Sequence, residues 1–378
     1  MTIPTKAELK AALKNSRPTL LVTGGGTGGH VFAGISIAEA WKSKFPDGKV
    51  LFVGSKGGIE EKLVPRAGIS LKLVHLGSLK GVSFKKRMKT ALQIPLALFK
   101  AFWIIVRAKP QAVVGVGGYA SGPVVLIARF LSPFFSTRVA ILEQNAVPGF
   151  TNRILAHFVH LVFCAFTGID KRFPESRTVI TGNPVRKEMI PLPPAQRVPF
   201  NIFIFGGSQG ALGINSLVLE ALPFLEDIKS ELVWVHQTGE RDFERVSNGY
   251  LEASFTGQIE KFIYGMKEAY QKASLVICRA GSSTLAEIAA VGRAAILVPF
   301  PQASDNHQEM NARLFVEQNA SILMLQQSAE GEDLAREIRR LIGSPHELTR
   351  MENQVRGFYR PHAAEDIVSA LIWPLDHR

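Results

Sequence analysis

Hydrophobic and polar positions alternate in blocks along this chain. Short apolar runs, many of them β-branched, read as strands buried on both faces, as in Leu20-Leu21-Val22-Thr23 and Ile202-Phe203-Ile204-Phe205. Longer segments with apolar residues at helical spacing lie between them, Val31 to Trp41 being the first clear case. Strands are expected at 20–23, 50–53, 71–74, 112–116, 138–142, 160–164 and 178–181, then at 201–205, 231–236, 253–255, 274–278, 295–298 and 321–324. Strand and helix in alternation predict parallel sheets with right-handed crossovers. The alternation breaks once, where Pro191, Pro193, Pro194 and Pro199 fall within nine residues, and then restarts. With 378 residues the chain exceeds what one core usually holds. The expected fold class is therefore α/β, with two Rossmann-like doubly wound domains facing a cleft. The domains run over 1–190 and 200–360, with a linker at 191–199. The segment 361–378 holds a last helix that is a candidate to return to the first domain.

Glycine turns follow three of the strands. Five glycines occupy the six positions Gly24 to Gly29, between the first strand and the helix that includes His30. A second turn is Gly115-Val116-Gly117-Gly118-Tyr119-Ala120-Ser121-Gly122-Pro123, and a third is Gly206-Gly207-Ser208-Gln209-Gly210. Glycine lets a ligand approach the backbone, and the first turn of a helix presents unpaired N–H groups and a positive dipole end. An anion or a strongly polar ligand is the expected guest. Gly24, Gly26 and Gly29 also satisfy the dinucleotide fingerprint G-x-G-x-x-G. No acid ends the next strand, Val50-Leu51-Phe52-Val53, to take a ribose, so a nicotinamide or flavin reading is weak.

Charge narrows the class of partner. The formal net charge is +12, and between Glu61 and Glu143 there are thirteen Lys and Arg and no acid. Such a field attracts nucleic acid, anionic lipid or a phosphorylated substrate. Cys164 and Cys278 sit in apolar runs, which suits a reducing compartment and offers neither a disulfide framework nor a metal cluster. Met1 to Pro18 has no apolar signal core, and no apolar run reaches the length that spans a bilayer.

Seven segments, in order, carry a family resemblance: Gly24–His30 (GGGTGGH), Gly117–Pro123 (GGYASGP), Glu143-Gln144-Asn145, Gly182–Arg186 (GNPVR), Gly206–Gly210 (GGSQG), Arg279–Glu287 (RAGSSTLAE) and Asp305–Gln308 (DNHQ). On these the chain resembles the MurG-type N-acetylglucosaminyltransferases of the GT-B superfamily. The resemblance implies transfer of GlcNAc from UDP-GlcNAc to the C4 hydroxyl of undecaprenyl-diphosphate-MurNAc-pentapeptide (lipid I), giving lipid II, with inversion and with no metal or other cofactor. It implies a donor held mainly on the second domain and an acceptor on the first. It also implies residence at the cytoplasmic face of the inner membrane as a peripheral protein, with other cell-wall synthesis proteins as further partners and no nucleic acid.

The resemblance assigns the donor to Ser208, Ile263, Ser282, Ser283, Thr284, Leu285, Ala286, Glu287, His307 and Gln308 in the second half. Thr27, Gly28, Gly29, Asn145 and Arg186 join them from the first. Ser208 and nearby N–H groups would hold the diphosphate, Glu287 the ribose diol, Ile263 the uracil, and Gln308 and Asn145 the sugar. Structural alternatives stand beside several of these. Ser208 could cap its helix, Glu287 could close a capping box with Thr284, Arg186 could form an interdomain salt bridge, and Asn145 could close a loop. His30 is the leading candidate for the general base, because an imidazole titrates near neutral pH. Glu143 competes with it. Tyr119 and Ser121 are assigned to the acceptor side.

Ser78 to Lys109 is the membrane candidate. Lys85, Lys86, Arg87 and Lys89 precede an apolar stretch that includes Leu96, Phe99 and Trp103. A core helix with a basic outer face explains part of this pattern, and contact with an anionic leaflet explains the missing acids as well. Two readings compete with the transferase: another GT-B enzyme such as a sugar-nucleotide epimerase, and a basic membrane- or nucleic-acid-binding protein without catalysis.

Overall fold

The computed structural model describes residues 17–75 and 84–372, and of 84–92 it describes the backbone alone. Residues 78–83 of the membrane candidate therefore lie outside the described residues, as do the side chains of Lys85, Lys86, Arg87 and Lys89. The chain divides into two compact units, Lys187–Tyr359 and the residues on either side of it.

The first unit runs β1 (Thr19–Gly24), α1 (Gly28–Lys44), β2 (Lys49–Ser55), α2 (Glu60–Arg66), β3 (Ser70–Val74), α3 (Phe84–Ala108), β4 (Ala112–Gly117), α4 (Ser121–Phe135), β5 (Arg138–Glu143), α5 (Phe150–Leu155), β6 (Leu161–Cys164) and β7 (Thr178–Ile180). All seven strands are parallel, in the order β3-β2-β1-β4-β5-β6-β7. The central strands are apolar at nearly every position because helices cover both faces of the sheet. Strand order reverses between β1 and β4, and ligands of doubly wound sheets bind beyond the strand ends at such a point. There Gly24 pairs with Gly117, so two of the glycine turns leave the sheet side by side.

The second unit runs β8 (Phe200–Phe205), α6 (Leu212–Ala221), β9 (Leu232–Gln237), α7 (Phe243–Glu252), β10 (Gly257–Glu260), α8 (Met266–Lys272), β11 (Leu275–Cys278), α9 (Ser282–Val291), β12 (Ala295–Leu297), α10 (His307–Glu317), β13 (Ile322–Leu323), α11 (Gly331–Ile342) and α12 (Pro345–Arg356). Its parallel order is β10-β9-β8-β11-β12-β13. The reversal falls between β8 and β11, so the turn Gly206–Gly210 and the start of α9 meet at one switch point. One strand differs from expectation. Residues 253–255 form the turn after α7, with Ser254 at φ 57°, and the strand is Gly257–Glu260. Its polar, edge-strand sequence carries no apolar run to announce it.

The proline run belongs to the second unit. Leu192 N–H donates to Val291 O at 3.3 Å and Arg293 Nη1 to Pro193 O at 2.9 Å. The final helix, α13 (Ala363–Ile372), lies in the first unit, where Ile367, Val368 and Leu371 join the core that holds Val31 and Trp41.

Candidate active site

In the first unit the turn after β1 packs backbone to backbone on the turn after β4. Gly25 N–H donates to Gly117 O at 3.2 Å. Gly118 has φ +85°, and a Cβ on it would stand 2.4 Å from Gly25 O, so no larger residue fits. Beneath the turn lies Glu60, fully buried, which no local sequence pattern marks as a site residue. Its carboxylate accepts from Gly26 N–H at 3.1 Å and from the N–H and Oγ of Ser55, both at 2.8 Å. Thr27 is the N-cap of α1, with its hydroxyl 3.5 Å from His30 N. Gly26 and Thr27 are exposed, and Gly28, Gly29 and His30 are half-buried.

His30 Nδ1 lies 3.1 Å from Gly25 O. A carbonyl only accepts, so the proton of a neutral ring sits on Nδ1 and Nε2 is the basic nitrogen. Nε2 faces Gly117, where an added Cβ would come within 2.7 Å of it.

Glu143, the competing carboxylate, is 2% exposed at the end of β5. Its Oε1 accepts from Asn145 N–H at 2.9 Å and Asn145 Nδ2 at 3.4 Å; its Oε2 accepts from Gly149 N–H and Asn152 Nδ2, both at 2.9 Å. Burial pushes its pKa up while these hydrogen bonds oppose the rise. Four donors make it the brace of the loop 144–149. Ser121 Oγ is likewise turned inward and donates to Gly118 O at 2.7 Å, while Tyr119 is exposed. The Arg186 guanidinium lies 5.0 Å from the Phe32 ring centroid, a cation–π contact inside the first unit.

In the second unit Gly207, Ser208 and Gln209 form an exposed turn. Ser208 does not cap the helix: the N-cap of α6 is Ala211, which has no side chain able to accept. Gln237, at the end of β9, joins this turn to a second loop, a role that no local pattern around it marks. Its Nε2 donates to Gly207 O at 2.9 Å and its Oε1 accepts from Ile263 N–H at 2.8 Å. The Ile263 amide is thereby committed within the unit. A cavity of ≈ 370 Å³ lies beside Ile263, lined also by Phe262, Tyr264 and Glu268.

The capping-box reading of Glu287 is overturned. Gly281 is the N-cap of α9 and makes no side-chain cap, which places Glu287 in the second turn of the helix. Glu287 is buried, with the Tyr270 hydroxyl 3.5 Å from its Oε2. Ser282 is buried, whereas Ser283, Thr284 and Ala286 are half-buried beside it. Leu285 lies wholly in the core, with its N–H on Gly281 O. Before α10, Asp305 and Asn306 take φ 55° and 54°, the left-handed region that non-glycine residues seldom adopt. His307 Nδ1 then lies 2.7 Å from Ser304 O, and Gln308 Oε1 accepts from Phe300 N–H at 2.9 Å. Arg279 braces the floor, donating to Val298 O, Pro299 O and Gln326 Oε1, and burial brings its pKa down to about 10.

Among the described residues no group of three His, Cys, Asp or Glu could hold a metal ion, and no helix is long and apolar enough to cross a membrane. The α3 face exposes Leu96, Phe99 and Trp103. On the neighbouring helix α4, Phe130 is 72% and Phe134 76% exposed.

The chain matches the N-terminal domain of glycosyltransferase family 28 over residues 20–164 and the C-terminal domain of that family over 201–367. A protein of Myxococcus xanthus named UDP-N-acetylglucosamine–N-acetylmuramyl-(pentapeptide) pyrophosphoryl-undecaprenol N-acetylglucosamine transferase is 42% identical, over 93% of this chain and 92% of its own. A Citrifermentans bemidjiense protein of the same name is also 42% identical, over 93% of this chain and 99% of its own. The crystal structure of Acinetobacter baumannii MurG superposes with a TM-score of 0.74 at 32% identity, covering 94% of this chain and 99% of that one. A UDP-GlcNAc 2-epimerase from Neisseria meningitidis gives a TM-score of 0.65 at 14% identity over 94% of this chain and 99% of its own, which is a likeness of fold.

Proposed function

The chain belongs to glycosyltransferase family 28, and we infer that it is the hexosyltransferase that moves GlcNAc from UDP-GlcNAc onto lipid I to give lipid II in peptidoglycan synthesis. The observation that carries this reading is the likeness to transferases of one name along nearly the whole chain, with the glycine turns at the switch points of both sheets.

The residue roles are our assignment. The diphosphate is given to Ser208, Arg186 and the N–H groups that open α6. No side chain of the N-cap competes for those N–H groups, and a helix N-terminus stabilises the charge that develops on departing UDP without reorganising. Glu287 takes the ribose diol, Ile263 the uracil through its carbonyl, and Gln308, His307 and Asn145 the sugar hydroxyls. Ser282, Ser283, Thr284 and Ala286 border the donor at the start of α9, and Thr27, Gly28 and Gly29 border the sugar in the first unit. The acceptor falls to Tyr119 and its turn. Its C4 oxygen bonds to the anomeric carbon as the bond to diphosphate breaks, with inversion. His30 Nε2 takes the hydroxyl proton. The four donors on Glu143 favour His30 over it as base.

The protein works as a peripheral enzyme at the cytoplasmic face of the plasma membrane. The acid-free interval and the exposed apolar residues of α3 and α4 support this reading. Purified protein given UDP-GlcNAc and a lipid I analogue should release UDP and form the disaccharide in equal amounts. Interconversion of UDP-GlcNAc with its 2-epimer, with no UDP released on adding acceptor, would replace the transferase by the epimerase reading.

A further inference from the structure

At the amino-terminal end of the strands of the first sheet, opposite its glycine turns, lies a cavity of ≈ 410 Å³, lined by Arg129, Ser132, Ser136, Thr137, Arg138 and His160. Arg138 opens β5 and Glu143 closes it, so the strand's length of about 17 Å separates this cavity from the candidate active site. Burial lowers the His160 pKa, and the charges of Arg129, Arg138 and Arg177 lower it further. Three guanidinium groups thus crowd one imidazole. Among the described residues none of the three forms an ion pair with an acid.

Local structure accounts for two of these arginines. Arg129 Nε donates to Phe158 O at 2.7 Å and its Nη1 to Ser132 Oγ at 3.1 Å; Arg177 Nη1 donates to His157 O at 2.9 Å and Val159 O at 3.2 Å. Both close the carbonyl end of the segment after α5. It does not account for Arg138, whose Nε is buried with no hydrogen-bond partner. Arg138 lines the cavity with no ion pair and beside like charges, and an oxyanion in the cavity relieves that repulsion. The carbonyl end of α4 lies at the same end of the sheet, but its partial negative charge is smaller than the full charges facing it. Exposed Phe130 and Phe134 adjoin cavity residues in sequence, and exposed Phe158 is tied to Arg129 through its carbonyl.

We propose that this cavity is a site for a phosphate-type oxyanion held by Arg138 and Arg129, and that the apolar side chains beside it make a lipid headgroup the source of the phosphate. The lipid half rests on the peripheral-membrane reading above, and the oxyanion half does not. Thermal unfolding is followed under saturating UDP, which occupies the donor site, with inorganic phosphate or glycerol 1-phosphate titrated against chloride at equal ionic strength. Wild type should gain a saturable rise in Tm that Arg138→Gln loses and Arg138→Lys partly keeps. Binding to phosphatidylcholine vesicles containing phosphatidylglycerol should weaken about fivefold in Arg138→Gln. Turnover of a short-chain soluble acceptor by that variant should match wild type, which also shows that it is folded. Loss of the phosphate response with unchanged vesicle binding would keep the site and make its source a soluble phosphate. If neither the phosphate response nor the vesicle binding depends on Arg138, the site does not exist.

Discussion

The turns after β1 and β8 begin from similar sequence, Gly24-Gly25-Gly26 and Gly206-Gly207-Ser208, and are held in different ways. The first is fixed from three sides, by Gly117 O, by the buried Glu60 carboxylate and by the His30 ring. The second presents Gly207, Ser208 and Gln209 to solvent, opens a helix without a side-chain cap, and is tied at Gly207 by Gln237. A turn whose amides are engaged within the protein can place a side chain accurately. A turn followed by unpaired helix N–H groups leaves that bonding to a ligand. This contrast is the ground on which we assign the base to the first unit and the anion to the second.

The sharpest way to break the contrast is His30→Ala. We expect kcat to fall by roughly 10²–10⁴ with UDP affinity nearly unchanged. A variant that keeps more than about a tenth of wild-type kcat removes His30 as base and reopens the case for Glu143.

Glu287→Ala probes the second unit. Two lost hydrogen bonds from ribose hydroxyls to a charged acceptor correspond to about 2–4 kcal/mol, seen as weaker UDP binding in calorimetry. A folded variant with wild-type UDP affinity would end the ribose assignment.

The two braces should act on different kinetic constants. Glu60→Ala strips the first turn of its acceptor and should lower kcat with donor KM little changed. Gln237→Ala frees both Gly207 and Ile263 and should raise donor KM. Each change is worth about 1–3 kcal/mol. Steady-state kinetics in which the two variants shift the same constant would mean that the turns do not divide the work.

The smallest effect concerns pH and lies behind the second turn. His236 is fully buried, with Nε2 3.0 Å from Asn215 Oδ1 and Nδ1 3.2 Å from Tyr250 Oη, and burial lowers its pKa from 6.5 to about 3. The unfolded chain therefore takes a proton below pH 6.5 that the folded chain refuses until about pH 3. Stability from this residue is present above pH 6.5 and is lost as pH falls. The loss should be about 1 kcal/mol at pH 6. Denaturant melts at pH 7 and pH 6 check it: the difference between them should shrink in His236→Gln, and an equal difference in variant and wild type would clear His236 of the effect.

What the sequence determined by itself was whatever depends on near neighbours along the chain. Runs such as Leu20–Val22 and Ile202–Phe205 are legible because a parallel strand is covered on both faces, and the glycine turns because few other residues take such backbones. The family motifs are legible for the same reason. Tertiary structure decided which polar groups meet. Glu143 gathers donors from positions 145, 149 and 152, Gln237 bridges 207 and 263, and Arg129, Arg138 and Arg177 converge on His160. It also decided that Thr284 and Glu287 form no capping box, because the helix begins at Ser282 after Gly281. A carboxylate, amide or guanidinium has the same sequence signature whatever its partner. Its partner is set by strand order and loop path, which bring residues dozens of positions apart within 3 Å.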